Sequence, residues 1–117
     1  MGDRLVWLET GSYAQYTSVA VEKAIKVPEA IPLEDAAGCF LSGLTALALV
    51  DEAYKVAAGD WVLLRAGAGT VGILMIQILK GLGAKAIATA GGAEKCQVAR
   101  SLGTDHVIDH RIEADGK

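Results

Sequence analysis

Trp61-Val-Leu-Leu-Arg-Ala-Gly-Ala-Gly-Thr-Val-Gly72 joins a short apolar run to a glycine-rich turn and the opening of a helix. Gly67, Gly69 and Gly72 have the G-x-G-x-x-G spacing of a dinucleotide-binding loop. Each glycine has a separate expected task. Gly67 allows a tight turn, Gly69 lets a pyrophosphate approach the backbone, and Gly72 lets the helix pack close to the strand. Ala68, Thr70 and Val71 complete the loop as candidate backbone contacts. The free N–H groups and positive dipole end of the following helix would hold the phosphates. A helix-capping turn in an unrelated α/β domain can carry the same spacing, so the flanking sequence has to decide.

Val62, Leu63 and Leu64 read as a buried parallel strand before the loop. Beyond it, Val71, Leu74, Met75, Ile78, Leu79 and Leu82 recur at helical spacing, and Ile73 and Ile76 widen the stripe. The helix is therefore expected to be buried on most sides, with Gly81 and Gly83 stopping it. Ala84 to Ala90 reads as a second strand, Glu94 to Leu102 as a second helix capped by Gly103, and His106 to Asp109 as a third strand. Residues 59–110 are thus β-α-β-α-β, which is the first half of a doubly wound parallel sheet of the Rossmann kind.

Upstream, residues 33–58 read as helical: Pro32 sits at a helix start, and Glu34 and Asp35 suit its dipole. Residues 1–32 look β-rich, with Leu5–Leu8, Tyr13–Val21 and Ala24–Val27 as strands and Pro28 and Pro32 closing the region. Two or three strands do not bury a core alone, so this region is expected to be the end of a larger sheet or barrel. Both ends of the chain look cut, and the 117 residues alone are not expected to make a competent reductase.

Composition narrows the function classes. The chain is 52% hydrophobic and 21% charged with a net charge of −3, a folded rather than disordered balance. No basic cluster points to nucleic acid or an anionic membrane surface. The apolar helix after Gly72 contains Gln77 and Lys80 and is too short to span a bilayer. No signal peptide is visible at Met1-Gly-Asp-Arg4. Cys39 and Cys96 form no CxxC pair and read as two small buried residues in a reducing compartment. No cluster of Cys, His and carboxylates suggests a metal site.

Taken together, the motifs resemble the medium-chain dehydrogenase/reductase family, nearest its zeta-crystallin-like quinone oxidoreductases. Gly2-Asp-Arg-Leu-Val6 and Gly11-Ser-Tyr-Ala-Gln-Tyr16 are similar to two segments of that family. Leu33-Glu-Asp-Ala-Ala37 and Ser42-Gly-Leu-Thr-Ala46 are similar to its hinge-helix motifs. Glu52-Ala-Tyr-Lys-Val56 with Ala58-Gly-Asp-Trp-Val62 resembles its fungal members, and Ala66–Gly72 resembles its A-A-x-G-G-V-G loop with Thr70 in place of a glycine.

The resemblance implies that residues 1–32 end a GroES-like catalytic barrel, 33–58 are hinge helices, and 59–117 open a Rossmann NADP-binding domain. It implies zinc-independent hydride transfer from NADPH to quinones or related conjugated carbonyls, by a cytoplasmic homodimer. It also implies site residues. Nineteen residues past Gly72, where NAD enzymes place an acid for the ribose 2′-OH, stands Gly91. Similar enzymes surround the adenosine phosphate with a small residue there, a lysine at Lys95 and a ring at His110; Lys95 and His110 could equally be a solvated lysine and an exposed loop histidine. Thr45 falls near the nicotinamide by resemblance only. An enoyl reductase module of a polyketide or fatty-acid synthase shares the loop and hinge motifs and stays open, as does a truncated chain without activity of its own.

Overall fold

A computed structural model describes residues 2–113. The chain divides into two compact units, residues 1–41 and 42–117.

In the first unit, β1 (Leu5–Val6) pairs antiparallel with β2 (Ile25–Lys26), Leu5 opposite Lys26 and Val6 opposite Ile25. The Val27 N–H extends the ladder to the Arg4 carbonyl at 2.8 Å, and Val27 is buried. The Arg4 guanidinium donates to the carbonyls of Pro28 and Ile31. The strand expected over Tyr13–Val21 does not form; the chain there is irregular and ends in a 3-10 turn at Val21–Lys23. Tyr13 and Tyr16 are fully exposed. Alternating side chains make a strand only where a partner takes the backbone groups and a surface takes one face. Among the described residues this segment has neither.

Helix α1 (Leu33–Leu47) starts as expected, with the Ala36 N–H donating to Pro32 O at 3.1 Å and Glu34 and Asp35 in the first turn. It continues into a π-helical turn over Ala48–Ala53. By length and composition, Leu33–Ala53 would suffice to cross a bilayer, with a mean hydropathy of 1.5. Ala46 and Val50 on it are nevertheless buried in the core of the second unit.

That core is built on a parallel sheet of β3 (Trp61–Leu64), β4 (Lys85–Ala90) and β5 (His106–Asp109), in the order β3-β4-β5. Trp61 pairs with Lys85 and Leu64 with Ala88, while Ala90 pairs with Asp109. Helices α2 (Thr70–Gly81) and α3 (Ala93–Ser101) are the crossovers. Ala86, Ala88 and Ala90 alternate along β4 on one buried face, and Leu64, Met75, Ile76, Leu79 and Ala99 pack around the first two. Alanines there let the helices come close to the sheet. Ile76 and Leu79 are almost fully excluded from water, and each contributes about 1.5–3 kcal/mol by burial.

Helix α2 ends on a Schellman turn: the Gly83 N–H donates to Lys80 O at 3.1 Å and the Ala84 N–H to Leu79 O at 3.0 Å, with Gly83 at φ +76. The stop signal read at Gly83 is thus the left-handed residue itself. The chain then turns into β4, whose carboxyl end, with those of β3 and β5, opens the crevice where α/β sheets place ligands.

Candidate functional site

One backbone bond ties the glycine loop to the sheet, and a second closes the loop on itself. The Gly67 N–H donates to Thr89 O at 2.9 Å, and the Gly69 N–H donates to Ala66 O at 2.9 Å. The expected tight turn exists, but its left-handed residue is Ala66 at φ +55 rather than Gly67. A non-glycine residue in that region costs roughly 1–2 kcal/mol. What requires glycine at 67 is space, since a Cβ there would stand 2.5 Å from the Ala88 Cβ on β4. At Gly72 a Cβ would collide with the Ala66 carbonyl oxygen and lie 2.9 Å from Gly67 Cα. Gly72 therefore seats the helix on the loop backbone. At Gly69 a Cβ would meet only Ala66, its O at 3.2 Å and its Cβ at 3.9 Å, from an ordinary extended φ of −78. The fold leaves Gly69 open on the outer side, and no side chain caps α2 there. A bound pyrophosphate fits this arrangement: bare backbone at Gly69, with the uncapped first-turn N–H groups of α2 beside it.

Two clefts open beside the loop. The larger, about 600 Å³, lies over the carboxyl ends of the strands and is lined by Ala68, Gly69, Gly91, Lys95, His110 and Arg111, with Arg65 at its β3 side. The second, about 550 Å³, lies along β3 and takes in Thr70, Val71 and Gly72 with Leu63 and Met75. The structure thus brings Gly91, Lys95 and His110 together beside the loop. Gly67 is buried beneath it, and Thr45, exposed on α1, does not line either cleft.

Gly91 is closely covered. A Cβ on it would stand 3.0 Å from His110 Cε1 and 3.3 Å from Arg111 Nε. The next residue, Gly92, has φ +98 and caps α3. Its N–H donates to Asp109 Oδ1 at 3.1 Å, and the Arg111 N–H donates to the same oxygen at 3.0 Å. These two bonds, that from Gly92 first, hold the Asp109 carboxyl below its usual range. Because the folded value is depressed, the clamp is complete above the ordinary Asp pKa of ~4 and is lost as pH falls through the lower folded value. The amide NMR signals of Gly92 and Arg111 are therefore expected to share a transition in acid as Asp109 is protonated. Independent titration of the two amides would contradict a shared acceptor.

Arg65, Asp109 and Arg111 were not singled out by spacing. Only the register of the parallel strands and the turns beyond them bring Arg65 and Arg111 to one cleft, with Asp109 behind it holding the Gly92 and Arg111 N–H groups. Cys96 is buried as expected, but Cys39 is exposed on α1. Among the described residues no group of three His, Cys, Asp or Glu is arranged to hold a metal.

Residues 70–117 match the family described as zinc-binding dehydrogenase. The structure of Escherichia coli quinone oxidoreductase complexed with NADPH superposes with a TM-score of 0.89 at 36% identity, covering 98% of this chain and 38% of that one. The chain belongs to the medium-chain dehydrogenase/reductase family. A probable quinone oxidoreductase of Schizosaccharomyces pombe is 45% identical over 106 residues, 90% of this chain and 32% of its own length. A 2-haloacrylate reductase of a Burkholderia species is 41% identical over 105 residues, covering 88% of this chain and 32% of the relative. The chain spans about a third of the length of the curated family members it matches.

Proposed function

We propose that the protein carrying this stretch is an NADPH-dependent reductase of quinones or related conjugated carbonyls that works without zinc. The observation that carries the reading is the cleft beside the glycine loop. At the position where an NAD enzyme needs a carboxylate it has Gly91, and around it stand Lys95, His110, Arg65 and Arg111. A carboxylate would repel a 2′-phosphate, whereas this rim attracts one.

The nicotinamide, when bound, supplies the hydride chemistry. This chain's residues bind and orient. The backbone of Gly69, Thr70 and Val71 takes the pyrophosphate, Ala68 lines its entrance, and Gly67 and Gly72 keep the loop pressed to the sheet and helix. Lys95 and His110 flank the adenosine end across Gly91. Thr45 belongs, on this reading, near the nicotinamide. Residues 1–32 close a catalytic barrel, 33–58 form the hinge, and 59–117 begin the cofactor domain of a cytoplasmic homodimer. Zinc independence rests on Cys39, which stands exposed with no ligand cluster around it among the described residues. The 2-haloacrylate reductase relative supports extending the substrate class from quinones to other conjugated carbonyls.

Steady-state turnover of the full protein with NADPH across a panel of quinones, enones and enoyl thioesters tests this. The expected result is NADPH oxidation with quinones or enones, unchanged by a chelator. Activity lost on chelation and restored by zinc would overturn zinc independence. Turnover confined to enoyl thioesters would transfer the protein to the enoyl reductases.

A further inference from the structure

Arg111 sits one residue past His110, at the start of the short helix α4 (His110–Glu113). Its guanidinium lies over the Gly91–Gly92 turn, Nε 3.3 Å from the place of a Gly91 Cβ and Nη1 3.2 Å from that of a Gly92 Cβ. Two successive glycines leave this position free, since a side chain at either would displace the guanidinium. Its backbone is fixed by the Asp109 oxygen that also holds the Gly92 N–H, so one carboxylate ties the end of β4 to the turn after β5. Among the described residues lining this cleft there is no Asp or Glu, while Arg65, Lys95, His110 and Arg111 all face it.

We propose that Arg111 is a second cationic arm for the adenosine 2′-phosphate, opposite Lys95, and that Asp109 is the positioning residue that holds this arm over the glycine turn. The inference rests on the NADPH reading and deepens it. Lys95 brings a point charge on a flexible stem. Arg111 brings a planar fork that binds two phosphate oxygens at once. The fork selects a phosphate where the lysine alone would attract any anion. Asp109 does not touch the phosphate; its oxygen is occupied by the two N–H groups and acts through the backbone of Gly92 and Arg111.

The test is calorimetric titration of the full chain with adenosine 2′,5′-bisphosphate and with 5′-AMP, which share every group except the 2′-phosphate. Arg111→Gln is expected to weaken the bisphosphate by about tenfold and to leave 5′-AMP unchanged. Asp109→Asn should weaken the bisphosphate selectively but less, because it moves the arm without removing it. A merely structural aspartate would weaken both ligands alike, and that outcome would overturn its positioning role. Lys95→Gln separates the role of Arg111 from binding of the 2′-phosphate itself. If it lowers bisphosphate affinity while Arg111→Gln does not, Arg111 is no arm and the NADPH reading stands. If the unmodified chain binds both ligands equally, the NADPH reading fails and this proposal with it.

Discussion

Gly72→Ala is expected to destabilise the second unit by about 2–3 kcal/mol, the upper part of the range for overpacking a tight site. The added methyl would be driven into the Ala66 carbonyl oxygen and the Gly67 backbone, and neither can rotate away as a side chain can. Ala66 is held in its left-handed conformation, and the Gly67 N–H is bonded to Thr89 O, so the loop yields only by giving up that bond. In a thermal melt the change should lower the midpoint by roughly 10 °C. Gly67→Ala should be as damaging, since its Cβ meets Ala88, which is fully buried on β4. Gly69→Val is the contrast. It has an ordinary φ and one neighbour at 3.2 Å, so it should keep the melt nearly unchanged while abolishing NADPH binding. Equal melts for all three variants would mean that the loop is not packed as described.

The second large effect is at Gly91. Gly91→Asp should weaken NADPH by at least about a hundredfold and reverse the preference toward NADH. Two causes act in the same direction. The carboxylate repels the 2′-phosphate, and its Cβ pushes on His110 and Arg111, which lie 3.0 and 3.3 Å from that position. Gly91→Ala isolates the second cause: it should weaken NADPH only a few-fold and leave NADH nearly unchanged, as the exposed His110 and Arg111 side chains shift. Fluorescence titration of each variant with NADPH and NADH measures this. A Gly91→Asp variant that kept its NADPH affinity would show that the adenosine phosphate lies elsewhere.

The strand–loop–helix unit and the crossovers after it were legible because their signals are local. Helical spacing from Val71 to Leu79, the glycine at 83 and the short apolar strands each specify their own conformation. The segment Tyr13–Val21 has the composition of a strand, but a strand is completed by its partners, and these are not encoded within the segment. At the site, Gly91, Lys95 and His110 were found through a family pattern. Arg65, Asp109 and Arg111 escaped because their proximity depends on parallel register, which joins positions distant in sequence. The same holds for Gly67. Its spacing announced a glycine, but only the packed structure shows that Ala88 on the neighbouring strand is the reason.

A crystal structure of the protein with NADPH would show where each phosphate sits. The pyrophosphate is expected against the Gly69–Val71 backbone at the start of α2, and the 2′-phosphate in the cleft at Gly91, within hydrogen-bond reach of Lys95 and the Arg111 guanidinium. A cofactor bound away from the glycine loop, or one whose 2′-phosphate points to solvent from this cleft, would contradict this placement.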